Sequence, residues 1–254
     1  MTIVNSTADT LHPATPAHAQ DLPYRSRLLA RSLLAPDVWQ LRFARPHGIS
    51  AAVAPWQFTS GQYTTLGLPH DAQAPLRPYS IASAPQDAYV DLHVRDTGHG
   101  LSHALAQLAQ DAEVALGHPA GSCVPAHAQA RPLVLLAGGV GIAPMASIVA
   151  ARAQAAPGCH LYWGVAHSTQ LYLHDHWQQQ VALGRLSSYH PVTEGSAPAL
   201  RSGMIGPAVV HDLPDLSAFA VYLAGPAAMV AATVPLLRAH GAQKEYIFGD
   251  GITL

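Results

Sequence analysis

Charged side chains are scarce in this 254-residue chain. Asp, Glu, Lys and Arg make up 11% of it, and 13 basic against 15 acidic residues leave a formal net charge of −2. Soluble domains usually carry about 25% charged residues. Nucleic acids and anionic membranes attract basic surfaces, so the composition argues against either of them as the main partner.

The sequence also has few cysteines and no long apolar segment, which argues against disulfide-rich, iron–sulfur and membrane-spanning proteins. Cys123 and Cys159 are the only cysteines in the sequence. They cannot form a disulfide framework or supply the four thiolates of an iron–sulfur cluster. The sequence contains no run of 18 apolar residues, so it predicts no membrane span. Ala17-His18-Ala19 resembles a signal-peptidase site, but no basic and apolar segments precede it, so we expect a cytoplasmic protein.

The first half of the chain has the pattern of a β domain. Residues 1–22 show no helical or strand period, which predicts a disordered tail. Residues 23–129 contain short strand-like segments separated by Pro and Gly, as in a small antiparallel barrel. The clearest is Val90–Arg95, where polar side chains share one face and Val and Leu share the other. One helix is predicted at about Ser102–Ala109.

The second half, residues 130–254, alternates strands and helices. Leu133–Ala137 is a continuous apolar run, which is typical of a parallel strand buried on both faces. Similar strands are predicted at 161–165 and 220–224, with helices at about 143–154, 171–183 and 226–240. This alternation predicts a parallel α/β sheet.

The strongest local motif is the glycine-rich segment Gly138–Pro144. Glycines at the carboxyl end of a strand permit a tight turn and the close approach of a ligand, and Pro144 suits a first helical turn. The free amides at a helix start bind phosphate. The G-x-G-x-x-G spacing is incomplete because Pro144 takes the third position, and an ordinary strand–turn–helix is the alternative interpretation.

Three weaker motifs suit a planar, phosphorylated ligand. Arg77–Ser80 offers a cation for phosphate, a ring for packing and a hydroxyl for a ring nitrogen. Arg95 precedes the turn Gly98–Ser102, where Ser102 is the expected helix N-cap. The segment 222–229 is another strand that leads into a Gly-Pro helix start at the same sheet edge. Each motif alone also fits a surface turn or a capped helix.

Taken in order, these motifs resemble the ferredoxin–NADP reductase superfamily from Tyr24 to Leu254. The chain is most similar to stand-alone NAD(P)H–flavin reductases and to the reductase modules of bacterial oxygenases, and its ending Tyr246–Asp250 is similar to that of the flavin reductases. Seven segments carry the resemblance: Gly61–Tyr63, Arg77–Ser80, Gly98–Ser102, Gly117–Gly121, Gly138–Pro144, Gly225–Met229 and Phe248–Asp250.

The resemblance implies a six-stranded antiparallel FAD-binding barrel followed by a parallel α/β NAD(P)-binding sheet. Ser80 would be the catalytic residue, since it would hydrogen-bond near flavin N5, and no metal is implied. The implied flavin-binding residues are Arg77, Pro78, Tyr79, Ser80, Arg95, Gly100, Leu101 and Ser102. The implied dinucleotide-binding residues are Gly138, Gly139, Gly141, Ala143, Pro144, Gly225, Pro226 and Met229.

The implied reaction is hydride transfer from NAD(P)H to FAD, with FMN as a possible flavin. Electrons would then pass to a separate acceptor, an iron–sulfur protein or an oxygenase, because two cysteines cannot hold a cluster in this chain. A free-flavin reductase that releases reduced flavin is the alternative, and a non-catalytic nucleotide-binding subunit is a further one. Near the expected ribose site Glu194 would repel a 2′-phosphate, which favours NADH over NADPH.

Two positions depart from the family pattern. Ala224 stands where many relatives have Cys beside the nicotinamide, and Ile252 stands where flavin reductases have an aromatic residue. Without an aromatic lid the flavin would be more accessible, which suits flavin exchange or a docking partner. His174-Asp175-His176 suggests a metal site at first sight, but residues two apart do not share a helix face, so a solvated helix start is predicted.

Overall fold

Two β-sheets of different kinds make up the fold. A computed structural model describes residues 18–71, 74–125, 130–152, 158–195, 197 and 200–250. The N-terminal sheet is antiparallel, and the C-terminal sheet is parallel with helices on both faces. This arrangement confirms the predicted fold class. The predicted boundary between residues 129 and 130 stays a prediction, because residues 126–129 lie outside the described part of the chain.

The antiparallel sheet curves until its two outer strands meet. Six strands follow the order β5-β4-β7-β1-β2-β6, and β3 pairs with β1. Beyond β5, Ile81 bridges to Leu92 of β6, and the Ala82 amide donates to the Asp91 carbonyl at 2.8 Å. The strands are β1 (Tyr24–Ala35), β2 (Val38–Ala44), β3 (His47–Gly48), β4 (Tyr63–Gly67), β5 (Arg77–Ser80), β6 (Tyr89–Arg95) and β7 (Glu113–Leu116).

The polar face of β6 is buried as well as its apolar face. The predicted alternation is present, but Asp91 and His93 are only 5% and 8% exposed. Asp91 accepts two hydrogen bonds from the Arg42 guanidinium, at 2.7 and 2.8 Å, which compensates the buried charge. His93 is covered by Tyr172 from the second half of the chain. Strand β6 therefore contributes to both the barrel core and the contact between the two sheets.

Helix α1 (Gly100–Ala106) begins two residues before the predicted start. His99 takes the N-cap position, so the prediction of Ser102 as the N-cap is wrong. Leu101 and Leu105 are four residues apart and both buried, and including Leu101 in the helix places them on one face. The Ser102 hydroxyl instead pairs with the Thr97 hydroxyl at 2.9 Å.

The end of the predicted disordered tail packs on the barrel. Residues Ala19–Asp21 form a 3₁₀ turn, and Ala19 and Leu22 are buried against Ala115 of β7. The prediction for residues 1–22 is therefore wrong at 18–22, because two apolar side chains there gain burial. Residues 1–17 lie outside the described residues.

The parallel sheet has the order β11-β10-β9-β8-β12-β13. Its first strand, β8, lies between β9 and β12, so a crevice opens where β8 and β12 end. Helices α2 and α3 cover one face, and α4 and α5 cover the other. The elements are β8 (Leu133–Gly138), α2 (Ile142–Ala151), β9 (Cys159–Val165), α3 (His174–Ala182), β10 (Ser188–Thr193), β11 (Arg201–Ser202), α4 (Ile205–Asp212), β12 (Ala220–Ala224), α5 (Ala227–Ala239) and β13 (Ile247–Phe248).

Helix α2 joins the two sheets. The Ser147 hydroxyl donates to the Ser83 carbonyl at 2.7 Å, and both groups are buried. Cys123, which follows the barrel, lies in the same apolar cluster as α2. These contacts place β5 and β6 opposite the end of β8. No helix in the described ranges has both the length and the apolar character needed to cross a membrane.

Candidate functional site

A cleft of about 880 Å³ lies between the barrel and the carboxyl edge of the parallel sheet. Its volume is in the range of known small-molecule sites. Strands β5 and β6 form one wall, and the ends of β8, β9 and β12 form the other. The predicted site residues that line it are Pro78, Tyr79, Ser80, Arg95, Gly138, Gly139, Gly141, Ala143, Gly225, Pro226 and Met229.

The remaining predicted site residues lie outside the walls of this cleft. Arg77 is exposed, and its guanidinium donates to the Leu76 carbonyl at 3.1 Å. Three of the others belong to α1. Leu101 lies on its buried face, and Gly100 and Ser102 lie at its surface. Pro144 is buried in the first turn of α2, the position that the sequence predicts. The roles of Arg77, Gly100, Leu101 and Ser102 in flavin binding and of Pro144 in dinucleotide binding stay predictions.

Two glycines of the glycine-rich turn lie in close contact with the segment after β12. A Cβ at Gly141 would lie 2.1 Å from the Ala224 carbonyl oxygen, and one at Gly138 would lie 2.6 Å from the Met229 sulfur. The turn after β8 therefore packs directly against the segment after β12. Both glycines also line the cleft, so their predicted role in ligand approach stays a prediction.

Gly139 is the glycine of this turn that faces the barrel. Its φ of +54° is in the left-handed region that favours glycine. A Cβ there would be 3.5 Å from the Arg95 guanidinium, which reaches over from β6. Arg95 is itself held by Asp37, with 3.1 Å between its Nε and a carboxylate oxygen. A fixed cation beside backbone amides at a helix start is a donor set that fits phosphate.

The barrel wall presents an aromatic ring and a hydroxyl side by side. Tyr79 and Ser80 end β5, where they pair with Thr64 and Tyr63 of β4. Burial raises the pKa of Tyr79 to about 12, opposed by nearby Arg77, so the phenol stays neutral. An apolar surface next to a hydroxyl donor fits the flat face and polar edge of a flavin ring.

Several cleft residues were absent from the predicted site: His93, Gln170, Met204 and Asp250. His93 lies on the same face of β6 as Arg95, so the alternation of the strand alone could have predicted it as a site residue. Gln170 ends a 3₁₀ turn and Met204 is the N-cap of α4, and both lie in connections where sequence patterning is weak. Asp250 was noted only as part of the ending, and its carboxylate accepts a hydrogen bond from the Ser122 amide at 2.8 Å.

Few charged side chains line the cleft. Arg95 is the one Lys or Arg among the described residues that line it, and Glu194 and Asp250 are the acids. Burial raises the pKa of Asp250, and the hydrogen bond from Ser122 opposes this rise. Burial lowers the pKa of His93 to about 4, so that side chain is neutral at pH 7.

Two domain families match the chain in the expected order. Residues 24–142 match a family described as an FAD-binding domain, and residues 135–234 match one described as an oxidoreductase NAD-binding domain. The barrel therefore corresponds to the flavin-binding part and the parallel sheet to the nicotinamide-dinucleotide part.

Oxygenase reductase components and flavin reductases are among the curated relatives. The ferredoxin–NAD(P)(+) reductase component of naphthalene 1,2-dioxygenase/salicylate 5-hydroxylase systems from Ralstonia sp is 30% identical over 202 residues, covering 77% of this chain and 61% of the relative. A probable flavin reductase from Vibrio harveyi is 29% identical over 210 residues, covering 77% of this chain and 88% of the relative. The chain thus spans about three fifths of the first curated relatives it matches.

A solved structure has the same fold. The crystal structure of the Amycolatopsis cytochrome P450 reductase GcoB superposes with a TM-score of 0.76 at 26% sequence identity, over 89% of this chain and 68% of that one. The pairing of a barrel with a parallel sheet is therefore shared with a reductase of known structure.

The substitution Gly141→Ala should destabilise the protein by about 3 kcal/mol, because the new methyl group overlaps a backbone oxygen that cannot move alone. Urea unfolding measures the loss. Gly195→Ala is the control, since its added methyl group meets only one atom at 3.8 Å, and it should change stability by less than about 0.5 kcal/mol. Equal losses in the two variants would contradict the contact between the loops.

Acid should weaken the folded protein through His93. The unfolded imidazole titrates near 6.5 and the buried one near 4, so the unfolded chain binds the extra proton in this window and stability falls as the pH falls through it. His93→Gln should remove about 2 kcal/mol of the stability difference between pH 7 and pH 5. Urea midpoints at the two pH values test this, and an unchanged pH dependence in the variant would contradict it.

Proposed function

Because the chain belongs to the ferredoxin–NADP reductase superfamily, we propose that it is an NAD(P)H-dependent flavin oxidoreductase. It transfers a hydride from NAD(P)H to FAD and passes the electrons to a separate acceptor. The observation that carries this proposal is the shared cleft, which sets Tyr79 and Ser80 of the barrel opposite the Gly138–Gly141 turn of the sheet.

The residues of the cleft orient the reactants. A bound flavin would supply the redox chemistry of the reaction, the acceptance of a hydride from the nicotinamide. Pro78 and Tyr79 offer the surface on which a flat ring packs, and the Ser80 hydroxyl donates a hydrogen bond to its edge. Arg95 lies beside the Gly139 turn, and this guanidinium and the amides of the turn would hold phosphate.

The buried contact between the two sheets supports this mechanism. Hydride transfer needs two rings held in contact, and orientation of this kind lowers the barrier by avoiding an entropy loss at the moment of reaction. The buried bond from Ser147 to the Ser83 carbonyl lies between α2, which follows the glycine turn, and the loop that follows β5. It therefore links the two elements that carry the opposite walls of the cleft.

The acceptor is proposed to be an iron–sulfur protein or an oxygenase. Support comes from the Ralstonia relative, which is named as a reductase component of dioxygenase and hydroxylase systems. Release of reduced free flavin is the second candidate function. It is favoured by the Vibrio harveyi relative, named a probable flavin reductase, because this chain covers 88% of that protein's length.

NADH is the proposed donor. Glu194 follows β10 at the carboxyl edge and lines the cleft, and the described lining residues at that end include no Lys or Arg that would pair with a 2′-phosphate. A carboxylate repels that phosphate and accepts hydrogen bonds from ribose hydroxyls.

Ser80→Ala should slow the reduction of bound flavin by roughly 10–100-fold, the scale of one lost transition-state hydrogen bond. Folding should be little affected, because the hydroxyl is at the cleft surface. Anaerobic stopped-flow mixing with NADH measures the rate. Ser50→Ala, an exposed serine outside the cleft, is the control, and wild-type reduction in the Ser80 variant would remove this residue from the mechanism.

Glu194→Arg should raise the preference for NADPH, expressed as the ratio of kcat/KM for NADPH to that for NADH, by at least about tenfold. The change removes a repulsive charge and adds a phosphate partner. Steady-state kinetics with both donors test this. Glu113→Arg in the barrel, whose exposed side chain lies outside the cleft, should leave the ratio unchanged.

Flavin retention separates the two candidate functions. An electron-transfer component should keep yellow FAD through extensive dialysis, and its spectrum should bleach when NADH is added anaerobically. A free-flavin reductase should instead be colourless after dialysis and reduce added FMN or riboflavin. No oxidation of NADH or NADPH with any flavin or acceptor would overturn both and favour a non-catalytic nucleotide-binding subunit.

A further inference from the structure

A buried tryptophan is hydrogen-bonded to the glycine turn. Trp163 on β9 is fully buried, and its indole Nε1 donates to the Gly139 carbonyl oxygen at 2.9 Å. The same oxygen accepts a hydrogen bond from the Ile142 amide at the start of α2. Two donors from different directions therefore hold this one carbonyl.

Fixing the Gly139 carbonyl also fixes the direction of the Val140 N–H in the same peptide group. A trans peptide group is planar, so its C=O and N–H point in opposite directions. The Gly139 carbonyl shares its peptide plane with the Val140 N–H, and Val140 lines the cleft. The Trp163 hydrogen bond therefore fixes the direction of a backbone donor at the edge of the proposed phosphate site.

Trp163 is connected to the barrel through Tyr172, which contacts His93 of β6. The Tyr172 ring packs edge-on against Trp163 with 5.1 Å between centroids, and against His93 with 5.5 Å. The Tyr172 hydroxyl also lies 3.3 Å from His93 Nδ1. His93 is two residues from Arg95 on β6, so one row of three rings connects the strand that carries the cation to the turn that the cation faces.

We propose that Trp163 is a positioning residue for nicotinamide-dinucleotide binding. It holds the Gly139 turn in the conformation that receives the pyrophosphate, and the row His93–Tyr172–Trp163 keeps that turn aligned with Arg95. The inference rests on the proposed function, since it names the residue that shapes the dinucleotide half of the same site.

The chain offers a matched pair of substitutions for the test. Trp177 on α3 is also fully buried, but its indole Nε1 has no hydrogen-bond partner among the described residues. Trp163→Phe and Trp177→Phe therefore remove the same atoms from the same kind of environment. Only the first removes a donor to the turn, so a loss of packing affects both variants and a loss of positioning affects one.

Calorimetric titration with NAD⁺ and steady-state kinetics with NADH provide the readouts. Trp163→Phe should raise the Kd for NAD⁺ and the KM for NADH by about 3- to 10-fold, with kcat and flavin retention within about twofold of wild type. Trp177→Phe should leave Kd and KM unchanged. Equal Kd values in both variants, or a loss confined to kcat, would overturn the proposal.

The titration separates this inference from the proposed function, because it needs no turnover. Wild-type protein that binds NAD⁺ without oxidising NADH would end the proposed function but leave the tryptophan test intact. If Trp163→Phe does not fold, ¹⁵N-indole spectra of the wild-type protein decide, with signals assigned by substituting the other three tryptophans. The Trp163 signal should shift on NAD⁺ addition and the Trp177 signal should not; a stationary Trp163 signal would overturn the proposal.

Discussion

The close contact between two loops at the carboxyl edge of the parallel sheet determines the site. Gly141 approaches the Ala224 carbonyl so closely that a single methyl group does not fit between them, and a Cβ at Gly138 would lie 2.6 Å from the Met229 sulfur. Because β8 and β12 are neighbours, both loops emerge at the switch point of the sheet. Their contact leaves Gly139 as the part of the turn that faces outward, toward Arg95.

The barrel completes a site that the parallel sheet only begins. It contributes Tyr79 and Ser80 as a packing surface and a hydroxyl, and Arg95 as the cation opposite the turn. The buried hydroxyl of Ser147 and the ring row from His93 to Trp163 cross between the two halves. Fixed hydrogen bonds and packed rings suit a reaction in which the protein mainly orients its reactants.

Much of this site was predictable because the signals are local. The apolar run of β8 followed by glycines and Pro144 predicts a strand, a turn and a helix from adjacent residues alone, and the structure has all three. Predictions failed where distant burial decides the outcome. Leu22 is ordered by Ala115 of another strand, and the start of α1 follows from the burial of Leu101.

The sequence by itself determined the two kinds of sheet, their order along the chain and most of the predicted segments that line the cleft, because periodicity and glycine placement express backbone preferences of near neighbours. Only the tertiary structure decided what those residues face. In the folded chain Arg95 faces Gly139, Gly141 packs against Ala224, and Trp163 donates a hydrogen bond to the turn from its buried side. These pairings join residues far apart in the chain, and they depend on side-chain volume and direction in a packed interior, which no local pattern encodes.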